Sequence, residues 1–81
     1  MKIEHTLQIR REVQKFPKGI REKFYKQVEF LKNDLRHPSL RAKKYDEAAD
    51  IWQARVTGGV RFYFRIEGDV YWLLNIKKHP K

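Results

Sequence analysis

The sequence contains no cysteine, which excludes a disulfide framework and a thiolate metal site. No stretch approaches the ~18 apolar residues a membrane-spanning helix needs. The N-terminus, from Met1 to His5, lacks the apolar run of a signal peptide. Nothing therefore supports secretion, and the cytoplasm is the expected location. Acidic residues are scarce: 10 Asp and Glu face 19 Lys and Arg, a formal net charge of +9. With 4 Gly and 3 Pro the chain has no low-complexity linker. There is no phosphate loop, no glycine-rich dinucleotide turn and no serine on a strand-to-helix elbow, so those nucleotide-binding and hydrolase classes are excluded.

What remains is a small folded body. Its 81 residues are room for one domain, 1–81, with one core. Aromatics make up 14% of the chain, which separates it from a disordered basic tail. A field of +9 on so small a body attracts polyanions. Nucleic acid, the ribosome and an acidic protein are the partners this implies. A membrane surface fits less well, because the basic residues do not gather on one amphipathic helix.

The chain divides into a helical half and a strand half. Residues 3–7 can open as a short strand. Residues 6–16 read as a helix with Thr6 as N-cap. In the second helix Ile20, Phe24, Val28, Leu31 and Leu35 form one stripe of helical period, and His37 and Pro38 mark its end. Residues 39–50 read as a charged connection. Three strands follow, at 51–56, 61–67 and 70–77, joined by Thr57, Gly58 and Gly59, whose glycines suit positive φ, and by Glu67, Gly68 and Asp69. The expected class is α+β, order β-α-α-β-β-β, with two helices on one face of a small antiparallel sheet.

Alternation assigns the strand side chains to faces. Trp52, Ala54, Val56, Phe62, Phe64, Ile66, Val70, Trp72, Leu74 and Ile76 are expected against the helices. Gln53, Arg55, Arg61, Tyr63, Arg65, Tyr71, Leu73, Asn75 and Lys77 are expected on the open face. Adjacent arginines repel unless an anion lies between them, and a guanidinium fork matches phosphate. Tyr63 and Tyr71 suit stacking on unpaired bases. A solvated sheet face accounts equally well for Arg65 and Tyr71. His79, just after the last strand, is a candidate general acid or base. His5 and His37 read as surface or capping residues. Three scattered His and no Cys speak against a metal site, and no cofactor is implied. Arg41, Lys43 and Lys44 form a run able to contact phosphates or to sit in a solvated loop.

The string WQARVTGGVRFYF at 52–64 is similar to the central strand pair of RelE-like toxins, within the RelE/ParE superfamily. The stretch His37, Pro38, Ser39 and Leu40 with Lys43 and Lys44, and the C-terminal stretch from Leu74 through Ile76 to His79, resemble neighbouring motifs of that family in order and spacing. The resemblance implies a toxin of a type II toxin–antitoxin pair that cleaves mRNA in the ribosome. The substrate's own 2′-hydroxyl would be the nucleophile, without a metal. Carried across, Arg61 matches the phosphate-binding arginine, Arg55 a second basic position beside it, and His79 the acid or base of some branches. Lys43, Lys44, Gln53, Tyr63, Arg65, Lys77, Lys78 and Lys81 are the expected RNA contacts, and an acidic antitoxin is the expected protein partner. Many active members also carry a terminal Tyr or Phe after that histidine, for which this sequence has no match. Two alternatives stay open: a ParE-like inhibitor of gyrase, and a noncatalytic binder of RNA or antitoxin.

Overall fold

A computed structural model describes residues 1–79. The elements are β1 (Lys2–His5), α1 (Leu7–Gln14), α2 (Lys18–Asn33), a 3₁₀ turn (Pro38–Leu40), β2 (Lys43–Asp46), β3 (Ile51–Thr57), β4 (Val60–Glu67) and β5 (Val70–Lys78). The strands form one sheet in the order β1-β5-β4-β3-β2. The α+β class with two helices layered on the sheet is as expected. The sheet itself is mixed rather than antiparallel, because β1 runs parallel to β5. It also has one strand more than the sequence pattern indicates. β2 lies inside the expected connection and pairs antiparallel with β3. Its sequence, KKYD, lacks apolar alternation, as charged edge strands commonly do.

Thr6 begins α1 by accepting the Ile9 N–H on its Oγ1 at 3.2 Å. The same hydroxyl donates to the Leu74 carbonyl at 3.0 Å, fastening the helix start to β5. One turn on, the Glu12 carboxylate accepts the Ile76 N–H at 3.0 Å. α1 thus takes up backbone groups of β5 beyond the reach of the short β1. In α2, Phe24, Val28 and Leu31 of the apolar stripe are buried and Ile20 packs against the core's edge, as does Leu35, which falls just beyond the helix end. The helix ends at Asn33, ahead of Pro38, as Asp34 turns to an extended conformation.

Phe24, Phe62, Phe64, Ile9, Leu31, Leu40 and Leu73 are sealed from solvent at the centre of the core. Phe24 meets Phe62 edge-on with centroids 5.4 Å apart, a favoured aromatic geometry. Two expectations about β5 are corrected. The register with β4 runs Tyr63 to Asn75, then Phe64 to Leu73, so Leu74 is an extra, bulged residue. Before the bulge the alternation is inverted. Tyr71 and Leu73 face the core, and Trp72 is exposed. Positive φ is likewise absent from Gly58 and Gly59; Gly68 adopts it, at 60°. His5 is no surface residue: it is half-buried, edge-on to Phe24 with centroids 6.4 Å apart. His37 does cap the 3₁₀ turn, its Nδ1 accepting from the Ser39 N–H. Among the described residues no helix is long and apolar enough to cross a membrane.

Candidate nucleic-acid interface

Cross-strand register sets the open face in rows. Arg55 of β3 stands opposite Arg61 of β4, and Arg61 opposite Lys77 of β5. Strands lie about 4.8 Å apart, so three cations sit side by side at one end of the sheet. None of them makes an ion pair among the described residues, where the pairs are Lys18 with Glu22 and Lys44 with Asp50. Uncompensated, such a row costs stability.

Arg61 is held by the turn that precedes it. Its Nη1 donates to the carbonyls of Thr57, of Gly58 at 3.3 Å and of Val60 at 3.2 Å. All three bonds use Nη1, which leaves the Nε–H and Nη2 donors without protein acceptors among the described residues. A guanidinium fixed on one side and open on the other is a pre-organised anion receptor. Arg55 reaches the same turn: its Nη2 lies 3.6 Å from where a Cβ on Gly58 would stand, within van der Waals contact of the turn. His79 is tied there as well, its backbone N–H donating to the Gly59 carbonyl at 2.8 Å. The side chains of Arg55 and Arg61 and the backbone of His79, separated by up to 24 positions (79 − 55), thus meet at the turn at 57–60.

The next row is Lys43, Gln53, Tyr63 and Asn75. Gln53 and Tyr63 are not the open surface that alternation indicates, being 7% and 9% exposed. The cover over Tyr63 is Tyr45, edge-on at 4.9 Å between centroids. Burial, with the neighbouring Tyr45, pushes the Tyr63 phenol up, so it stays a neutral donor. Tyr45, Tyr63, Asn75 and Lys77 border a cleft of about 200 Å³. Tyr45 was not legible as a site residue, because the strand that carries it has no apolar alternation. The buried Asn75 Oδ1 has no hydrogen-bond partner.

Other expected contacts lie apart from this cluster. Lys44 is opposite Trp52, with its Nζ 5.1 Å from the indole centroid and bonded to Asp50. That places it on the helix side of the sheet, so Lys43 and Lys44 do not act as one run. Arg65 is exposed at the far end of the open face, opposite Trp72. Lys78 pairs with Val60, whose side chain points to the core layer, and is itself exposed. Lys81 lies outside the described residues.

This architecture is the fold of the RelE/ParE superfamily of toxins. The YoeB/ParE toxin from Agrobacterium tumefaciens superposes with a TM-score of 0.81 at 19% identity, covering 99% of this chain and 100% of that one. The archaeal RelE–RelB complex from Pyrococcus horikoshii gives 0.82 at 18% identity, over 99% and 96%. The RelBE2 toxin–antitoxin complex from Mycobacterium tuberculosis is 28% identical, with a TM-score of 0.67 over 96% of both chains. No family model matches the sequence, and no curated protein matches it.

Proposed function

We propose that this chain is the toxin of a type II toxin–antitoxin pair and cleaves mRNA in the translating ribosome. The observation that carries the proposal is the convergence of Arg55, Arg61 and His79 on one turn, beside Lys77 and free of any carboxylate ion pair among the described residues. The nucleophile is the substrate's 2′-hydroxyl. Its oxygen attacks the adjacent phosphorus as the 5′-oxygen of the next nucleotide leaves, giving a 2′,3′-cyclic phosphate. The 2′-hydroxyl loses a proton and the leaving oxygen gains one. His79 is the imidazole suited to one of these transfers. Negative charge grows on the nonbridging oxygens, and the free donors of Arg61, with Arg55 and Lys77 alongside, stabilise it. Because Arg61 is already held by its turn, little reorganisation is needed when that charge appears.

An acidic antitoxin, covering the basic face in the cytoplasm until it is removed, fits the +9 charge. Structural relatives include RelE with RelB and YoeB with YefM in complex. The test is a cell-free translation reaction in which mRNA ends are mapped by primer extension. New ends are expected in translated message with the wild type. Arg61→Ala should lose roughly a hundred- to a thousandfold in rate. Intact message with normal translation would exclude the ribonuclease. Altered DNA supercoiling in its place would indicate a gyrase inhibitor, and salt-sensitive RNA binding without cleavage a noncatalytic binder.

A further inference from the structure

A second cationic cavity lies around the strand edge from the Arg61 row. It is an open hollow of about 530 Å³ between α2, the 3₁₀ turn and the end of β3. Lys23 comes from α2, Arg41 follows the 3₁₀ turn, and Arg55 belongs to β3; all three line the cavity, and no acidic side chain does. None makes an ion pair among the described residues. Three cations from three elements line one hollow, and an anion held between them would be attracted to all three.

The walls are fastened by a buried amide. Gln27 is 1% exposed. Its Nε2 donates to the Ser39 carbonyl at 3.1 Å and to the Arg55 carbonyl at 2.8 Å, while its Oε1 accepts from the Ser39 hydroxyl at 3.1 Å. One side chain thereby locks the helix, the 3₁₀ turn and the strand that carry the three cations. Arg41 also holds the left-handed backbone conformation, φ 46°, which a non-glycine residue rarely adopts. The cavity, open to solvent on one side, has room for a phosphate and part of the nucleotide that carries it.

Arg55 links the two sites, since it stands opposite Arg61 and also lines this cavity. We propose that the cavity formed by Lys23, Arg41 and Arg55 holds a backbone phosphate of the same RNA strand, flanking the bond presented to Arg61. This inference rests on the RNA reading above and adds to it a second phosphate subsite. It gives the strand a path from the sheet face, past Gly58, to the helix side. Two phosphates held at fixed separation set the position of the bond between them.

The experiment measures binding of a short fluorescent RNA by anisotropy across a KCl series. The reactive 2′-hydroxyl is replaced by hydrogen so that the strand cannot be cut. The variants are Lys23→Gln with Arg41→Gly, the glycine suiting the left-handed backbone, and Arg61→Ala. Circular dichroism checks that each folds. One phosphate contact is worth a slope of about −0.7 in log K against log salt for a single strand. The double variant should therefore bind about tenfold more weakly, with the slope reduced by roughly that amount. Neutralising one flanking phosphate as a methylphosphonate should produce the same loss in the wild type and none in the double variant. Equal slopes and affinities for wild type and double variant overturn the subsite while leaving the RNA reading intact. A loss that no single methylphosphonate reproduces also overturns it, revealing only a diffuse basic surface. No RNA binding by the wild type overturns the subsite, while the ribosome-dependent reading stands or falls on the translation assay.

Discussion

Gln27 shows at the scale of one residue how this protein spends a buried polar group. Removing its amide takes a donor from the carbonyls of Ser39 and Arg55 in a part-buried site, while the Ser39 hydroxyl keeps its contact with His37 Nδ1 at 2.9 Å. A buried polar group left unsatisfied costs about 1–3 kcal/mol. Gln27→Leu fills most of the volume but replaces none of these bonds, so it should destabilise the fold by about 1–3 kcal/mol. Lys26→Ala, on the exposed side of the same helix, should change stability by less than about 0.5 kcal/mol. Urea denaturation of both variants measures the difference. A Gln27→Leu protein as stable as Lys26→Ala would mean that the three bonds contribute nothing net. The sequence hides this role. Gln27 is one polar residue among many on α2, and spacing says nothing of an amide's distant partners. Arg61 is different, because the turn that holds it is local, and the Gly-x-Arg pattern can be read directly from the sequence.

At the scale of elements, local patterns and long-range pairing separate. The α2 stripe and the alternation of β4 were legible because each is apolar on one side only. In β5 the run VYWLLNI is apolar on both parities, so alternation cannot assign a face, and the bulge at Leu74 then inverts the phase. β1 illustrates a further limit. Its four residues become a strand by pairing with β5, about 70 positions away. That pairing carries His5 into contact with Phe24 and leaves its Nε2 buried without a partner. Burial, reinforced by the Arg10 cation and opposed by Glu4, pushes the imidazole below its ordinary value of 6.5. The folded state therefore binds the proton less well than the unfolded state. Its stabilising contribution is full above pH 6.5 and is lost as pH falls from there through the lower folded value. Thermal midpoints measured from pH 7.5 to pH 5 should fall more steeply for the wild type than for His5→Phe, which keeps the ring and removes the titration. Parallel curves for the two proteins would assign the acid sensitivity to other groups.

For the whole molecule the governing quantity is charge in a small volume. The body measures 32 × 26 × 23 Å and carries a formal charge of +9. At 0.01 M salt the screening length is about 30 Å, so every cation acts on every other. At 0.1 M it is about 10 Å, and distant repulsion is largely screened. Neighbours in the Arg55, Arg61 and Lys77 row, about 4.8 Å apart from strand to strand, still repel there. Two effects should then separate in a thermal melt. Adding KCl from 0.01 M to 0.1 M should raise the midpoint through general screening, for the wild type and Arg61→Gln alike. Phosphate at the same ionic strength should raise it further for the wild type, because an anion bound only by the folded state stabilises it by mass action. Arg61→Gln removes the central cation of the row and should lose most of that additional rise while keeping the KCl response. If phosphate and chloride act identically on the wild type, the row repels as a diffuse surface and does not bind the anion as a site. If Arg61→Gln keeps the full phosphate effect, the anion is held elsewhere, and the cavity bordered by Lys23 and Arg41 becomes the place where it binds.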